Sequence, residues 1–208
     1  MKVKVCGLTR NEDVDAVNSF LPDYAGFVFA ESKRRITRSR AASLIKNLDP
    51  LIKPVGVFVN MDCKEIAAIT QFCGLAAVQL HGHEDNPYMS KLRSLLPEGI
   101  QIIKALRVQN QAILADVSGI TCDLLLLDAY KEGLAGGTGE VFDWKLLQDF
   151  PRPYILAGGL NPSNLQTAVE ALHPYGVDVS SGVETGGLKD REKIRDFIQT
   201  ARRCSDEN

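Results

Sequence analysis

Short runs of β-branched and aliphatic residues alternate along this chain with segments whose apolar positions recur every three or four residues. The first pattern marks buried strands and the second marks amphipathic helices. Residues 2–6, 24–29, 54–59, 76–80, 101–105, 123–127, 154–157 and 177–180 read as strands. Helices are expected near residues 11–19, 38–48, after Asp62, and near 87–96, 111–117, 144–148 and 191–201, with one more opening at Asn161-Pro162. Thr37, Asp62 and Asn161 are suited to cap helices, and Pro162 to a first turn. Ile66, Ile69 and Phe72 fall on one face of the third helix. The run Leu124-Leu125-Leu126-Leu127 lacks polar alternation, as expected of a strand covered on both faces.

Eight strand–helix units follow one another with no element left over and no composition shift to mark a linker. Such alternation demands a parallel sheet with right-handed crossovers. Eight units suit closure, so the expected fold is a single (β/α)₈ TIM barrel forming one domain over residues 1–208. The competing open, doubly wound sheet carries a G-x-G-x-x-G turn after its first strand. Here that strand ends in Cys6-Gly7-Leu8-Thr9 instead.

Composition narrows the class. With 208 residues, 45% hydrophobic and 24% charged, the chain can bury a substantial core. A formal net charge of −2 and the lack of a basic face argue against a nucleic-acid partner. The densest basic stretch, Lys33-Arg34-Arg35 with Arg38 and Arg40, reads as solvated charge. No apolar run nears the ~20 residues of a membrane span, and no leader precedes the first strand. The five cysteines, Cys6, Cys63, Cys73, Cys122 and Cys204, are odd in number with no C-x-x-C pair. A cytoplasmic protein with reduced thiols is therefore expected. His81, His83 and His173 complete no recognisable ligand set, so no metal is expected.

In such a barrel the active site lies at the C-terminal strand ends. There the chain has Cys6, the loop from Phe29 to Arg34, Asn60, His81, Arg107, Asp128, Gly158-Gly159 and Ser180-Ser181-Gly182. The opposite end shows Pro54, Gly99 and Pro153, which is turn chemistry. The loops after strands seven and eight are where barrels hold phosphate. Glycine lets backbone N–H groups approach an anion, and small hydroxyls add donors. One Gly-Gly alone would equally be a tight turn, but two such turns stand on adjacent strands.

Cys6 and Asp128 are the candidate chemical groups. Cys6 ends its strand at the mouth, and its thiol needs a lowered pKa to act near neutrality. Asp128 ends the most apolar strand, where a carboxyl tends to stay protonated and can serve as a general acid. Together they would form an acid/base couple; Asp128 could instead cap the loop that follows it. His81 reads equally as a substrate-orienting or a structural residue, and the other four cysteines read as core. The glycine-rich residues 132–140 suggest a mobile cover and lack the lysine of a nucleotide loop.

Taken together, these segments resemble the phosphoribosylanthranilate isomerase family of tryptophan biosynthesis. The resemblance runs from Lys4-Val5-Cys6-Gly7-Leu8-Thr9 to Asp190. It includes Gly26-Phe27-Val28-Phe29 with Ser32-Lys33-Arg34, Val78-Gln79-Leu80-His81-Gly82, and Leu126-Leu127-Asp128. It continues through Gly136-Gly137-Thr138-Gly139, Ala157-Gly158-Gly159-Leu160-Asn161-Pro162 and Val177-Asp178-Val179-Ser180-Ser181-Gly182-Val183-Glu184. By that resemblance the substrate is a phosphorylated small molecule, N-(5′-phosphoribosyl)anthranilate, undergoing an Amadori rearrangement. The resemblance implies Asp128 as the acid at the ring oxygen and Cys6 as the base at C2′. It implies Arg34 as a bidentate partner of the anthranilate carboxylate, and Gly158, Gly159, Ser180 and Ser181 as the phosphate site. No cofactor is implied, and the family occurs as monomers or homodimers.

The chain departs from the family at Thr185-Gly186-Gly187-Leu188-Lys189-Asp190, where a proline-glycine-lysine-aspartate run is usual. Loss of that proline is expected to loosen the last loop. Read without the resemblance, the residues also admit a phosphosugar epimerase, a non-catalytic phosphate binder or a redox module built on Cys6. An epimerase would want paired aspartates and often a metal-binding histidine set. A binder would not need both Cys6 and Asp128.

Overall fold

The computed structural model describes residues 1–108, 117–128, 147 and 150–206. Eight parallel strands close into one barrel in sequence order. They are β1 (Lys2–Cys6), β2 (Tyr24–Val28), β3 (Lys53–Phe58), β4 (Ala77–Leu80), β5 (Gln101–Arg107), β6 (Leu124–Asp128), β7 (Tyr154–Ala157) and β8 (Gly176–Val179). Closure is made by β1 against β8, with Lys4 opposite Asp178 and Val5 opposite Val179. Around the barrel lie α1 (Asn11–Phe20), α2 (Arg38–Ile45), α3 (Cys63–Cys73), α4 (Asn86–Leu95), α5 (Leu165–Leu172) and α6 (Arg191–Asp206). Apart from residue 147, the expected helix at 144–148 lies outside the described residues, as do most of the one at 111–117 and the loop 132–140; residues 117–119 form a 3₁₀ turn.

Strand side chains alternate between two environments, as period-two geometry requires. Val3, Val5, Phe27, Leu125 and Leu127 point outward into the layer shared with the helices. Tyr24, Val55, Ala77, Ile103, Leu124 and Leu126 fill the lower lumen. The leucine run on β6 thus serves both layers, two side chains each. Burial of each such side chain is worth about 1.5–3 kcal/mol, so the apolar lumen and outer layer hold the frame on which the polar rim is mounted.

The helix signals worked where side-chain chemistry decided them. Thr37 accepts from Arg40 N and Asp62 from Lys64 N at the starts of α2 and α3. Phe72 is not on the buried face of α3: it is 56% exposed, beneath the Arg38 guanidinium, while Cys73 turns inward. Asn161 does not start α5 directly. Its Oδ1 accepts from the Ser163 and Asn164 N–H groups, capping a turn that precedes Leu165. The last helix runs five residues beyond the expected end at 201, because Ala201 and Cys204 still face the core.

The segment that departs from the family pattern folds as a hairpin. β9 (Glu184–Thr185) pairs antiparallel with β10 (Leu188–Lys189). Gly186 and Gly187 turn it at φ 59° and 81°, the left-handed backbone that a two-residue hairpin needs and glycine supplies. Thr185 Oγ1 donates to Asp190 Oδ2 at 2.7 Å across its base.

Candidate active site

The inward positions become polar toward the C-terminal end of the barrel. There a cavity of about 390 Å³ is walled by Cys6, Gln79, His81, Arg107, Asp128 and Asp178, and by the glycine loops after β7 and β8. The volume falls in the range of small-molecule sites. A larger hollow, about 840 Å³, lies at the other end beside Phe150, Arg152 and His173. Its Arg152 is occupied by the Val117, Ile120 and Cys122 carbonyls, whereas the smaller one carries the candidate residues.

All seven candidate residues from the sequence line this cavity: Cys6, Arg34, Asp128, Gly158, Gly159, Ser180 and Ser181. Gly158 and Gly159 have φ of 95° and 68°, a backbone that L side chains rarely adopt. A Cβ on Gly182 would collide with the Leu160 carbonyl oxygen. The two loops therefore touch backbone to backbone, and both glycine positions are set by geometry. Ser180 Oγ donates to the Cys6 carbonyl at 3.1 Å, tying β8 to the end of β1. Ser181 begins a 3₁₀ turn, Ser181–Val183.

Arg34 crosses above Gly7, whose φ of 86° and lack of a side chain leave room for it. Its Nε and Nη2 donate to Glu184 Oε1 and Oε2, each at 2.7 Å. Glu184 also accepts from Lys189 Nζ at 2.6 Å. The bidentate edge expected to meet a ligand carboxylate is thus given to Glu184, and among the described residues no hydrogen bond engages Nη1. The remaining basic residues lie apart, Arg35 on exposed Glu31 and Arg40 on the Thr9 carbonyl.

Asp128 has a histidine neighbour. His81 Nε2 lies 3.2 Å from Asp128 Oδ2, and His81 Nδ1 lies 3.3 Å from the Gln79 side-chain amide. His81 thus stands against the proposed acid. Beneath it, Lys104 donates to the Gly82 carbonyl and to Glu84, each at 2.7 Å. Glu84 accepts in turn from the Asn60 and Gly82 N–H groups. This buried network fixes the loop after β4 and, through it, His81. Burial alone would raise the Glu84 carboxyl, but Lys104 and the backbone donors outweigh it and hold it below the usual range.

The Cys6 thiol does not have the lowered pKa that action near neutrality would need. Burial pushes it up, and the Lys4 and Lys189 ammonium groups pull only part of the way back. Lys4, wholly buried two residues before Cys6, donates to Asp178 Oδ1 at 2.9 Å. Lys4, Asp178, Glu184 and Lys189 were not singled out from the sequence. For Lys4 and Asp178 the signal was there: each is a charge between two valines, hence inward on a strand whose outward face is apolar. For Glu184 and Lys189 the Gly186-Gly187 hairpin brings the partners together, and Gly-Gly between short runs was the cue.

Among the described residues, no group of three or more His, Cys, Asp or Glu side chains could hold a metal ion. Residues 3–200 match the family model described as N-(5′-phosphoribosyl)anthranilate (PRA) isomerase. The chain belongs to the phosphoribosylanthranilate isomerase family. It is 53% identical over 207 residues to the N-(5′-phosphoribosyl)anthranilate isomerase of Acetivibrio thermocellus, covering 96% of this chain and 95% of that one. A family structure in complex with reduced 1-(o-carboxyphenylamino)-1-deoxyribulose 5-phosphate superposes with a TM-score of 0.82 at 35% identity, covering 97% and 98% of the two chains. Monomers generated from the dimeric enzyme of Thermotoga maritima superpose at 0.83 with 36% identity, with the same coverage. Family members thus share the barrel over its whole length.

Proposed function

We propose that this protein isomerises N-(5′-phosphoribosyl)anthranilate to 1-(2-carboxyphenylamino)-1-deoxyribulose 5-phosphate, a step of tryptophan biosynthesis, with Cys6 and Asp128 as its base and acid. The observation that carries the reading is the single cavity shared by Cys6, Asp128, Arg34 and both glycine loops. Family membership supports the substrate, and we assign each part of it a partner among the residues of the cavity.

The 5′-phosphate is held by Gly158, Gly159, Ser180 and Ser181. Since the Ser180 hydroxyl is engaged by Cys6 O, the backbone N–H groups of the two loops are the main donors. The anthranilate carboxylate meets the Nη1 end of Arg34, whose other edge Glu184 keeps in place. This span sets the ribose over Cys6 and Asp128. Asp128 donates a proton to the furanose ring oxygen as the ring C1′–O bond breaks, giving an iminium at C1′. Cys6, as thiolate, takes the C2′ proton, the C–H electrons form the enolamine, and that tautomerises to the ketone. Positioning and general acid–base terms supply the acceleration.

The same reading makes the protein cytoplasmic, working as a monomer or homodimer on a diffusible substrate, with no nucleic-acid or membrane partner. No helix among the described residues is long and apolar enough to cross a membrane. The test is turnover: purified protein mixed with fresh phosphoribosylanthranilate should quench the anthranilate fluorescence with no metal added, at a rate a chelator does not change. Absence of turnover would overturn the isomerase reading.

A further inference from the structure

Cys6 is buried, yet the proposed reaction needs its thiolate. Directly below it on the same strand, and on the same inward face, is Lys4. A wholly buried lysine is costly unless paired, and replacing a buried ion pair by apolar side chains is often neutral or stabilising. Level with Lys4, the inward side chains Val55, Ile103 and Ile155 are apolar. Asp178, opposite Lys4 in register, and Gln79 are the polar side chains just above them, and both line the cavity. An apolar pair at positions 4 and 178 would fill the lumen without the cost of burying two charges. Stability therefore gives no reason for the charge, and its neighbour gives one.

Among the described residues, charged groups face Cys6 from four elements. Lys4 comes from β1, Asp178 from β8, Lys189 from β10 and Arg34 from the loop after β2. Glu184 binds both Arg34 and Lys189. Three cations against two carboxylates leave one positive charge in excess, and a thiolate neutralises it. Without Lys4 the cluster carries no excess, and a thiolate would make it negative at a buried sulfur.

We propose that Lys4 is a positioning residue for the reaction: held by Asp178, its ammonium is the counter-charge that lets Cys6 exist as a thiolate in the barrel lumen. On ionisation the S–H bond breaks, its proton leaves to solvent and the electron pair stays on Sγ, while Lys4 keeps its own proton throughout. This rests on the reading of Cys6 as the base, but its test needs no substrate.

The experiment is the pH profile of Cys6 alkylation by iodoacetamide in the full chain, followed on the Cys6 peptide by mass spectrometry. Lys4→Met should move the midpoint up by about one pH unit or more, so that alkylation near pH 7 slows about tenfold. Asp178→Asn should move it down, because the ammonium then answers only to sulfur. A structural role would not produce opposite shifts. A Lys4→Met midpoint that stays or falls overturns the proposal. If Lys4→Met loses its circular dichroism, Asp178→Asn decides, and a midpoint unchanged or raised there overturns it equally. Failure of turnover with these shifts intact would strike the isomerase reading instead.

Discussion

Arg34 closes on Glu184 through two parallel hydrogen bonds of 2.7 Å, and Lys189 reaches the same carboxylate from the hairpin side. A bidentate pair of this kind fixes direction as well as energy. It holds the guanidinium across the mouth with one end toward the cavity. Glu184→Gln should therefore raise KM for phosphoribosylanthranilate about tenfold, with kcat changed much less, and Arg34→Ala should do the same more strongly. Steady-state kinetics on both variants check it. A fall in kcat with KM unchanged would reject the assignment.

Cys6→Ser and Asp128→Asn should each lower kcat by roughly 10²-fold or more, the size of a general acid or base contribution. Because burial raises the Cys6 thiol, kcat/KM of the native protein should climb with pH through and beyond the usual cysteine range near ~8.5. A profile flat or falling over that interval would contradict thiolate chemistry. His81→Ala, which removes the group 3.2 Å from Asp128, should cost about tenfold in kcat, with KM little affected.

Gly26 sits beside Cys6 on β2, in register with it. A Cβ there would lie 2.7 Å from the Cys6 sulfur and 3.0 Å from its Cα. Gly26→Ala should therefore displace the thiol, lowering kcat at least tenfold and stability by about 1–3 kcal/mol. Activity and thermal unfolding measured together test it, and a fully active, stable variant would contradict the packing described.

The Glu84 and Glu184 carboxyls are both held below their ordinary range, burial being outweighed by Lys104 for one and by Arg34 and Lys189 for the other. A lowered folded-state pKa gives stability that is fully present above the unfolded value and lost as pH falls through the folded one. The protein should thus lose stability progressively below about pH 4.3. Glu84→Gln should flatten that acid limb while lowering stability at pH 7. Denaturant midpoints across pH 3–7 read both effects, and an unchanged slope in the variant would contradict the linkage.

The alternation of strand and helix signals, the two glycine turns and the residues Cys6 and Asp128 were legible before any fold was known. These are local facts: hydrophobic period, cap chemistry and the backbone freedom of glycine act within a few residues. The covered faces of β6 could be read from its leucine run for the same reason. Phe72 was misplaced because neighbouring positions on one helix differ by only a part of a turn, and packing chooses between them.

What the chain alone determined, then, was the barrel, the end that holds the site and the chemical types at its rim. Only the tertiary structure decided which charges meet. Lys4 and Asp178 are 174 positions apart and Arg34 and Glu184 are 150 apart. Those pairs exist because β8 closes on β1 and the segment after β8 brings Glu184 to Arg34. Electrostatic partnership depends on distance in space and on burial, which periodicity along a chain does not encode.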